Sequence, residues 1–323
     1  MKARFRNTLA LARLEVGRSI WSTMRRRLSE RMEAVATASR ILVEQYRTVI
    51  ASERAVAERS DQSEPARGPA HDVSLSVVHY RGGREELDLG LEYARSADPL
   101  DRVVGADVLA QLGWNDGEFL DESVEALIAL LDDPDPSVVE RAAFGLGHWA
   151  DERAVSSLVR LAGHESPQMR LGIVFGLTCQ EAPDAIGTLI RMSADPDRDV
   201  RSWATFGLGT QVETDTPELR AALYLRLSDG DSETRGEALV GLARRRDPRV
   251  VLALLQEWEL HNDIGILSIE AAETMGDPAL LTHLETFLAT MDWSDGCDRF
   301  REGLLRAIAA CRGEGLSCPQ PGR

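Results

Sequence analysis

Residues 143–147 read AFGLG, and the pattern returns as VFGLT at 174–178 and TFGLG at 205–209. Glycines at this density can cradle phosphate, provided a strand precedes them and a helix begins at them. Other residues with chemistry in them are Asp195-Pro-Asp197-Arg-Asp199, which has the alternating acids of a calcium loop, the pair His164-Glu165, and the cysteines Cys179, Cys297, Cys311 and Cys318. Each lacks the company its chemistry needs. No glycine and glutamate follow Asp199 at the calcium-loop positions. His148, His261 and His283 stand in places not equivalent to His164, and the cysteines form no CxxC pair. Cys179 has no evident histidine partner. No catalytic set, no metal site and no cofactor is predicted.

The elements that position these residues read as helices. Of 323 residues 43% are hydrophobic and only 5% aromatic, a balance that favours an all-α fold. Taking Gly113, Gly147, Thr178, Gly209, Ala243 and Gly276 as equivalent gives an internal repeat of 34, 31, 31, 34 and 33 residues. Twelve residues before these positions stand Asp101, Asp135, Ser166, Asp197 and Asp231. Each can accept the free N–H groups of a first helical turn, so all five are predicted helix caps, and Pro136 and Pro167 follow at the first helical position. Val138, Ala142, Gly145, Leu146 and Trp149 then form one helical stripe. GLG therefore ends a predicted helix, the wrong polarity for a phosphate loop, and its glycines are expected to allow the turn and a close helix approach.

Shorter amphipathic segments fill the intervals, among them 121–131, 154–162, 185–193, 218–227, 250–258 and 280–289. Leu127, Leu158, Leu189 and Leu223 sit at matching places in them and should line one layer. A pair of such helices cannot bury its own stripe, whereas stacked pairs share a core.

Three sets of residues recur or stand near the repeat signature. Phe144, Phe175 and Phe206 share one position, read either as packing between repeats or as an aromatic ladder for a partner; Trp203 and His148 join them as candidate partner-surface residues. Trp149 falls on the buried stripe. Arg170, Arg201 and Arg235 share another position, with Asp195 and Asp229 in reach, and are expected to form a structural ladder tying neighbours together, anion binding being the alternative.

Charge narrows the partner. The net charge is −16; residues 1–70 hold 14 Lys/Arg against 8 Asp/Glu, which leaves 23 against 45 for the remainder. An acidic body repels phosphate backbones, so nucleic acid is not an expected partner and a protein with a basic surface is. Only Lys2 among the 37 basic residues is lysine, a bias read as that of a GC-rich bacterial genome. No apolar run approaches the roughly 18 residues of a membrane span and no secretory h-region opens the chain, so a cytoplasmic protein without an integral membrane segment is expected.

Residues 1–60 read as a long helical extension, with Leu14, Trp21, Leu28, Val35, Leu42, Val49 and Val56 at seven-residue intervals. The companion positions are poor for a coiled coil. The extension is expected to dock on the body or stand in solution, with self-association and membrane-surface anchoring as alternatives. Residues 61–83 are the predicted linker, 84–313 the repeats, about six helix pairs, and 314–323 a loose tail.

The stretches DPDPSVVERAAFGLGHWAD and DPDRDVRSWATFGLG, with AVSSLVRLAGHES as a second helix, resemble HEAT repeats of the phycobilisome-lyase type over roughly residues 85–312. The resemblance implies an α-α superhelix, a HEAT-repeat solenoid. It is less specific for function, since such repeats occur in bilin lyases, deoxyhypusine hydroxylase, a DNA-glycosylase class and plain scaffolds. Deoxyhypusine hydroxylase would bring repeated His-Glu pairs, which this chain lacks, and the glycosylase a basic groove. The reading is a non-catalytic scaffold or adaptor holding a protein partner along its curved surface, with a bilin-lyase-like enzyme or lyase subunit and an anchored adaptor as alternatives.

Overall fold

The computed structural model describes residues 39–57, 73–112, 117–261, 264–291 and 298–314. The described residues are helical and contain no strand. The predicted segment before Ser39 and the tail after 314 lie outside them, as do Gly113, Cys297 and Cys318. The chain divides within one helix into two compact units, Met1–Thr188 and Leu189–Arg323.

In the first unit the helices are α1 (Ser39–Ala57), α2 (Val73–Arg81), α3 (Arg84–Ala94), α4 (Pro99–Leu112), α5 (Leu120–Leu130), α6 (Pro136–Trp149), α7 (Val155–Leu161) and α8 (Pro167–Leu177). The first helices of the repeats, α4, α6 and α8, pack side by side, α5 packs on α6 and α7 on α8, and α1 and α2 pack together on α4. Helix α9 (Pro183–Met192) carries the division. The second unit continues with first helices α10 (Arg198–Phe206), α12 (Ser232–Arg244), α14 (Ile266–Met275) and α16 (Asp298–Cys311), and second helices α11 (Pro217–Arg226), α13 (Arg249–His261) and α15 (Leu281–Thr290). Its first helices again pack on one another in chain order.

Helix α6 shows how sequence produces one such element. Asp135 accepts the N–H of Ser137 at 2.9 Å, Pro136 occupies the first position, and the helix stops at Ala150, whose left-handed φ of 50° lets its N–H return to the Leu146 carbonyl. Val138, Ala142 and Leu146 are fully buried, and each large aliphatic side chain so buried contributes about 1.5–3 kcal/mol before entropy is counted. Ser166, Asp197 and Asp231 accept first-turn N–H groups in the same way. Leu127 and Leu158 of the first unit and Leu189 and Leu223 of the second have no exposed surface.

Four expectations are corrected. Asp101 lies inside α4; the cap is Asp98, whose carboxylate takes the N–H of Leu100 at 2.9 Å ahead of Pro99 at the first position. The register of the first repeat therefore starts three residues earlier, because a proline at N1 marks a helix start more strongly than an aspartate within the first turn. Residues 73–81, inside the predicted linker, form α2. The GLG glycines do not end helices: α6 runs on through Gly147 to Trp149, and after α10 the chain widens into a π-helical turn, Gly207–Gln211. Finally, α1 does not bury a sevenfold stripe. Ser39, Leu42, Val43, Tyr46 and Ile50 are its buried residues, at three- and four-residue steps, and Val49 is half-buried. A helix seated on other helices needs this broader face.

Candidate functional site

The arginine at the fourth residue after the cap builds the joints. Arg201 sends one guanidinium nitrogen to the carbonyls of Asp195 and Pro196 (2.9 and 3.1 Å) and the others to both carboxylate oxygens of Asp229 (2.9 and 3.1 Å). Asp229 in turn accepts the N–H of the next cap, Asp231, at 3.1 Å. Arg235 grips the carbonyls of Asp229 and Gly230 and pairs with Glu257 at 2.8 Å. Arg170 holds the carbonyls of His164 and Glu165 at 3.0 and 2.9 Å. Arg102 makes the same pattern, with Ser96 and Ala97 carbonyls on one side and Asp133 on the other at 2.6 and 2.8 Å. The sequence reading missed Arg102 because its register was three residues out there; counted from Asp98 it falls in line.

Where that position holds Val139, the residue two before the next cap is His164 in place of an acid, and its Nδ1 accepts the Ser166 N–H at 3.1 Å. The clamp and its acid thus change together. Bidentate, charge-assisted bonds to enclosed carboxylates are stronger than neutral ones. Arg102→Ala is expected to lower the unfolding free energy by about 1–2 kcal/mol in urea titration, most of it absent when Asp133 is already asparagine.

The recurrent phenylalanines do not share one environment. Phe144 and Phe175 are half-buried and stacked, with ring centroids 4.2 Å apart and planes at 14°, and His148 meets Phe175 edge-on at 5.5 Å. In the second unit Phe206 is buried at 5% exposure and meets the half-buried Trp203 edge-on. An exposed row of three rings is therefore not what forms. Trp149 is buried and donates its indole N–H to the Leu109 carbonyl at 3.2 Å.

A buried ionic group unseen in the sequence lies between α1, α4 and α6. Asp107 is enclosed, accepts the Tyr46 hydroxyl at 2.8 Å and faces Arg141 at 3.3 Å. Burial pushes its carboxyl above the usual range, against the pull of Arg141 and Tyr46. The signal for it is positional: counted from the corrected cap, Asp107 stands where Phe144 and Phe175 stand in the next two repeats.

His148 donates Nδ1–H to the Ala110 carbonyl at 3.3 Å, and His79 of α2 pairs with the Gln111 carbonyl at 3.1 Å. Burial lowers both, His148 to about 4 from an ordinary 6.5. The unfolded chain takes up this proton at its ordinary pKa whereas the folded chain resists it to about 4. Stability is then full above pH 6.5 and is lost as pH falls through that window. The thermal midpoint is expected to drop between pH 6.5 and 4, with a shallower slope in His148→Gln.

Cys179 is buried with a left-handed φ of 74°, and burial pushes the Cys311 thiol up to about 11. Among the described residues no three His, Cys, Asp or Glu side chains stand together as metal ligands, and no helix is long and apolar enough to cross a membrane.

A family model described as HEAT repeats matches residues 124–209 and 186–274. Protein YibA of Escherichia coli (strain K12) is 37% identical over 81 residues, which make up 24% of this chain and 28% of YibA. The chain thus matches little more than a quarter of the length of that curated relative. The X-ray structure of YibA aligns with a TM-score of 0.57 and 24% identity over 86% of this chain and 98% of that one, a likeness of fold. The complex of CpcE and CpcF of phycocyanin lyase from Nostoc aligns with a TM-score of 0.40 and 20% identity, over 78% and 97% of the two chains. With capped helix pairs, arginine clamps and this family match in agreement, residues 124–274 of the chain are HEAT repeats.

Proposed function

We propose that the chain is a non-catalytic HEAT-repeat scaffold or regulatory adaptor that binds a protein partner with a basic surface in the cytoplasm. The observation that carries this reading is the use of the repeated charged residues: the guanidinium groups at the repeat starts are engaged with backbone carbonyls and with acids of the next helix pair, as in Arg102 with Asp133 and Arg201 with Asp229. Such residues hold helices rather than converge on a reacting atom, and what they hold rigid is surface. Burial of the Cys179 and Cys311 thiols supports a scaffold over thiol chemistry of a lyase kind. The acidic balance beyond residue 70 supports a basic protein partner.

Affinity isolation of the full chain followed by mass spectrometry is expected to recover a reproducible protein partner, and the partner's assembly is expected to change when the gene is deleted. Repeated recovery of none, with no complex altered by deletion, overturns the adaptor reading.

A further inference from the structure

Helix α1 is held by the unit Met1–Thr188 without being a member of its stack. Helices α3, α4, α6 and α8 pack on one another in turn, whereas α1 lies on α2, α3 and α4. Taking α1 away breaks none of the contacts among those four. Three of its arginines, seven residues apart, reach acids on three successive helices. Arg40 pairs with Glu92 of α3 at 2.7 Å, Arg47 with Asp98 and Asp101 at the start of α4, and Arg54 with Asp135 at the start of α6 at 3.7 Å. Seven residues of helix rise about 10.5 Å, close to the roughly 8–10 Å between packed helix axes. Cations at that interval fall in register with the stack.

The floor under α1 is polar. Ser39 donates its hydroxyl to Glu86 of α3 at 2.5 Å and accepts from Arg81 of α2 at 3.0 Å, and Tyr46 donates to Asp107 of α4 at 2.8 Å. Both carboxylates are buried. Carboxylates desolvated by a docking element oppose its docking. Without α1, Glu86 keeps the Gly83 N–H at 2.9 Å and Asp107 keeps Arg141 at 3.3 Å. The arginine pairs of α1 are open to solvent and add little net stability. What remains to hold α1 is its buried apolar set, Leu42, Val43, Tyr46 and Ile50. A helix held by four such side chains over an acid-lined floor is suited to exchange for another that offers the same pattern.

We infer that α1 is an autoinhibitory strap: it occupies, within the chain, an acid-lined helix seat on α3 and α4 that reaches α6, and a protein partner displaces it with an amphipathic helix carrying arginines or lysines seven residues apart. The inference rests on the protein-binding role proposed above and names the partner's chemistry. Charge favours this occupant, since the chain beyond residue 70 holds 45 acids against 23 bases and the helix it already accepts meets it through cations.

The chain supplies its own probe, a fluorescent peptide of residues 39–57 followed by anisotropy. Two full-length chains are compared, the wild type and a release chain bearing Arg40→Glu, Arg47→Glu and Arg54→Glu, whose own α1 is repelled by the seat. Because a joined helix competes at high local concentration, the release chain is expected to bind the peptide about tenfold tighter than the wild type. Glu92→Arg added to the release chain weakens that binding, and a peptide with Arg40→Glu restores it. The thermal melt of the release chain checks its fold. The wild type is tested without substitution by amide exchange, with the peptide isotopically labelled so that its fragments are told apart. Saturating peptide is expected to speed exchange across residues 39–57 of the chain while α4 and α6 stay protected. Equal affinity in the two chains, binding by neither, or an α1 that stays protected with peptide bound overturns the inference. Wild-type dimers that are absent in the release chain mark a second copy as the occupant and overturn the partner. A partner captured equally by both chains sinks the strap and leaves the adaptor role standing; capture of none by either sinks the role.

Discussion

Arg245→Met is expected to lower the unfolding free energy by about 3–5 kcal/mol. The Arg245 side chain is only 6% exposed and has no close acid, Asp215 lying 3.9 Å away. It donates instead to carbonyls: Leu208 and Gly209 at 2.9 Å, Gly241 at 3.0 Å, Val212 at 3.1 Å and Thr214 at 2.8 Å. Four of these belong to the π-helical turn Gly207–Gln211 and the extended chain after it, where a helix that has widened and stopped leaves carbonyls without intrahelical donors. One guanidinium satisfies them together. Methionine fills the volume and leaves the carbonyls buried and unpaired, which is the costly half of removing a hydrogen-bond partner. Burial lowers the Arg245 pKa, yet a guanidinium still carries its charge at neutral pH. Urea denaturation measures the loss, and amide exchange at residues 207–214 should accelerate with it. Arg245→Lys is expected to recover less than half, since three donors on one nitrogen cannot span five carbonyls. A loss below 1 kcal/mol for methionine means the turn does not depend on this side chain.

Gly147→Ala is the second large effect, a loss of about 2–3 kcal/mol. A Cβ at residue 147 stands 2.5 Å from the Phe175 ring and 2.6 Å from the Phe175 carbonyl oxygen. The ring can rotate away, but the oxygen belongs to the backbone of α8, so α6 and α8 must separate. Overpacking of this kind costs more than the small helical gain of alanine over glycine returns. Separation also breaks the Phe144–Phe175 stack. The check is a thermal melt of the variant: the midpoint should fall, and an unchanged melt contradicts the close approach. Gly187, whose added Cβ meets nothing within 4 Å, is the control, where alanine is expected to be neutral or mildly stabilising.

How far the sequence reached is clearest at the caps. Asp135, Ser166, Asp197 and Asp231 could be placed from their spacing to the glycine signature because an N-cap is a local device, set by one side chain and the two or three residues after it. The first repeat failed for a related reason. Its register hung on Gly113, and nothing local distinguishes Asp101 from Asp98 except Pro99, which outranks it as a start signal. The arginines at the cap-plus-four position were visible as a row, but not that Arg235 turns to Glu257 or that Arg102 belongs with them. Asp133 stands at the start of the following helix pair and Glu257 on the second helix of Arg235's own pair, and the reach to either depends on how separate helices pack.

The candidate surface was legible only as a list of types. Phe144, Phe175 and Phe206 share one repeat position, yet the first two are stacked and half-buried and the third is enclosed at 5% exposure. Helical periodicity specifies the angular position of a side chain on its own helix; it does not specify what the neighbouring element brings to that position. The same limit hid Asp107, whose charge state follows from desolvation by packed helices.

By itself, then, the amino-acid order determined the all-α class, the repeat length, the capped starts of most first helices and the layer of buried leucines, since each follows from hydrogen bonding or apolar periodicity within about one helix pair. Tertiary structure alone decided that α1 sits on α4 through Tyr46 and Asp107, that GLG marks helix contact in place of helix end, and that Phe144 stacks on Phe175 while Phe206 is enclosed. These depend on distances between residues far apart in the chain, which no local pattern encodes.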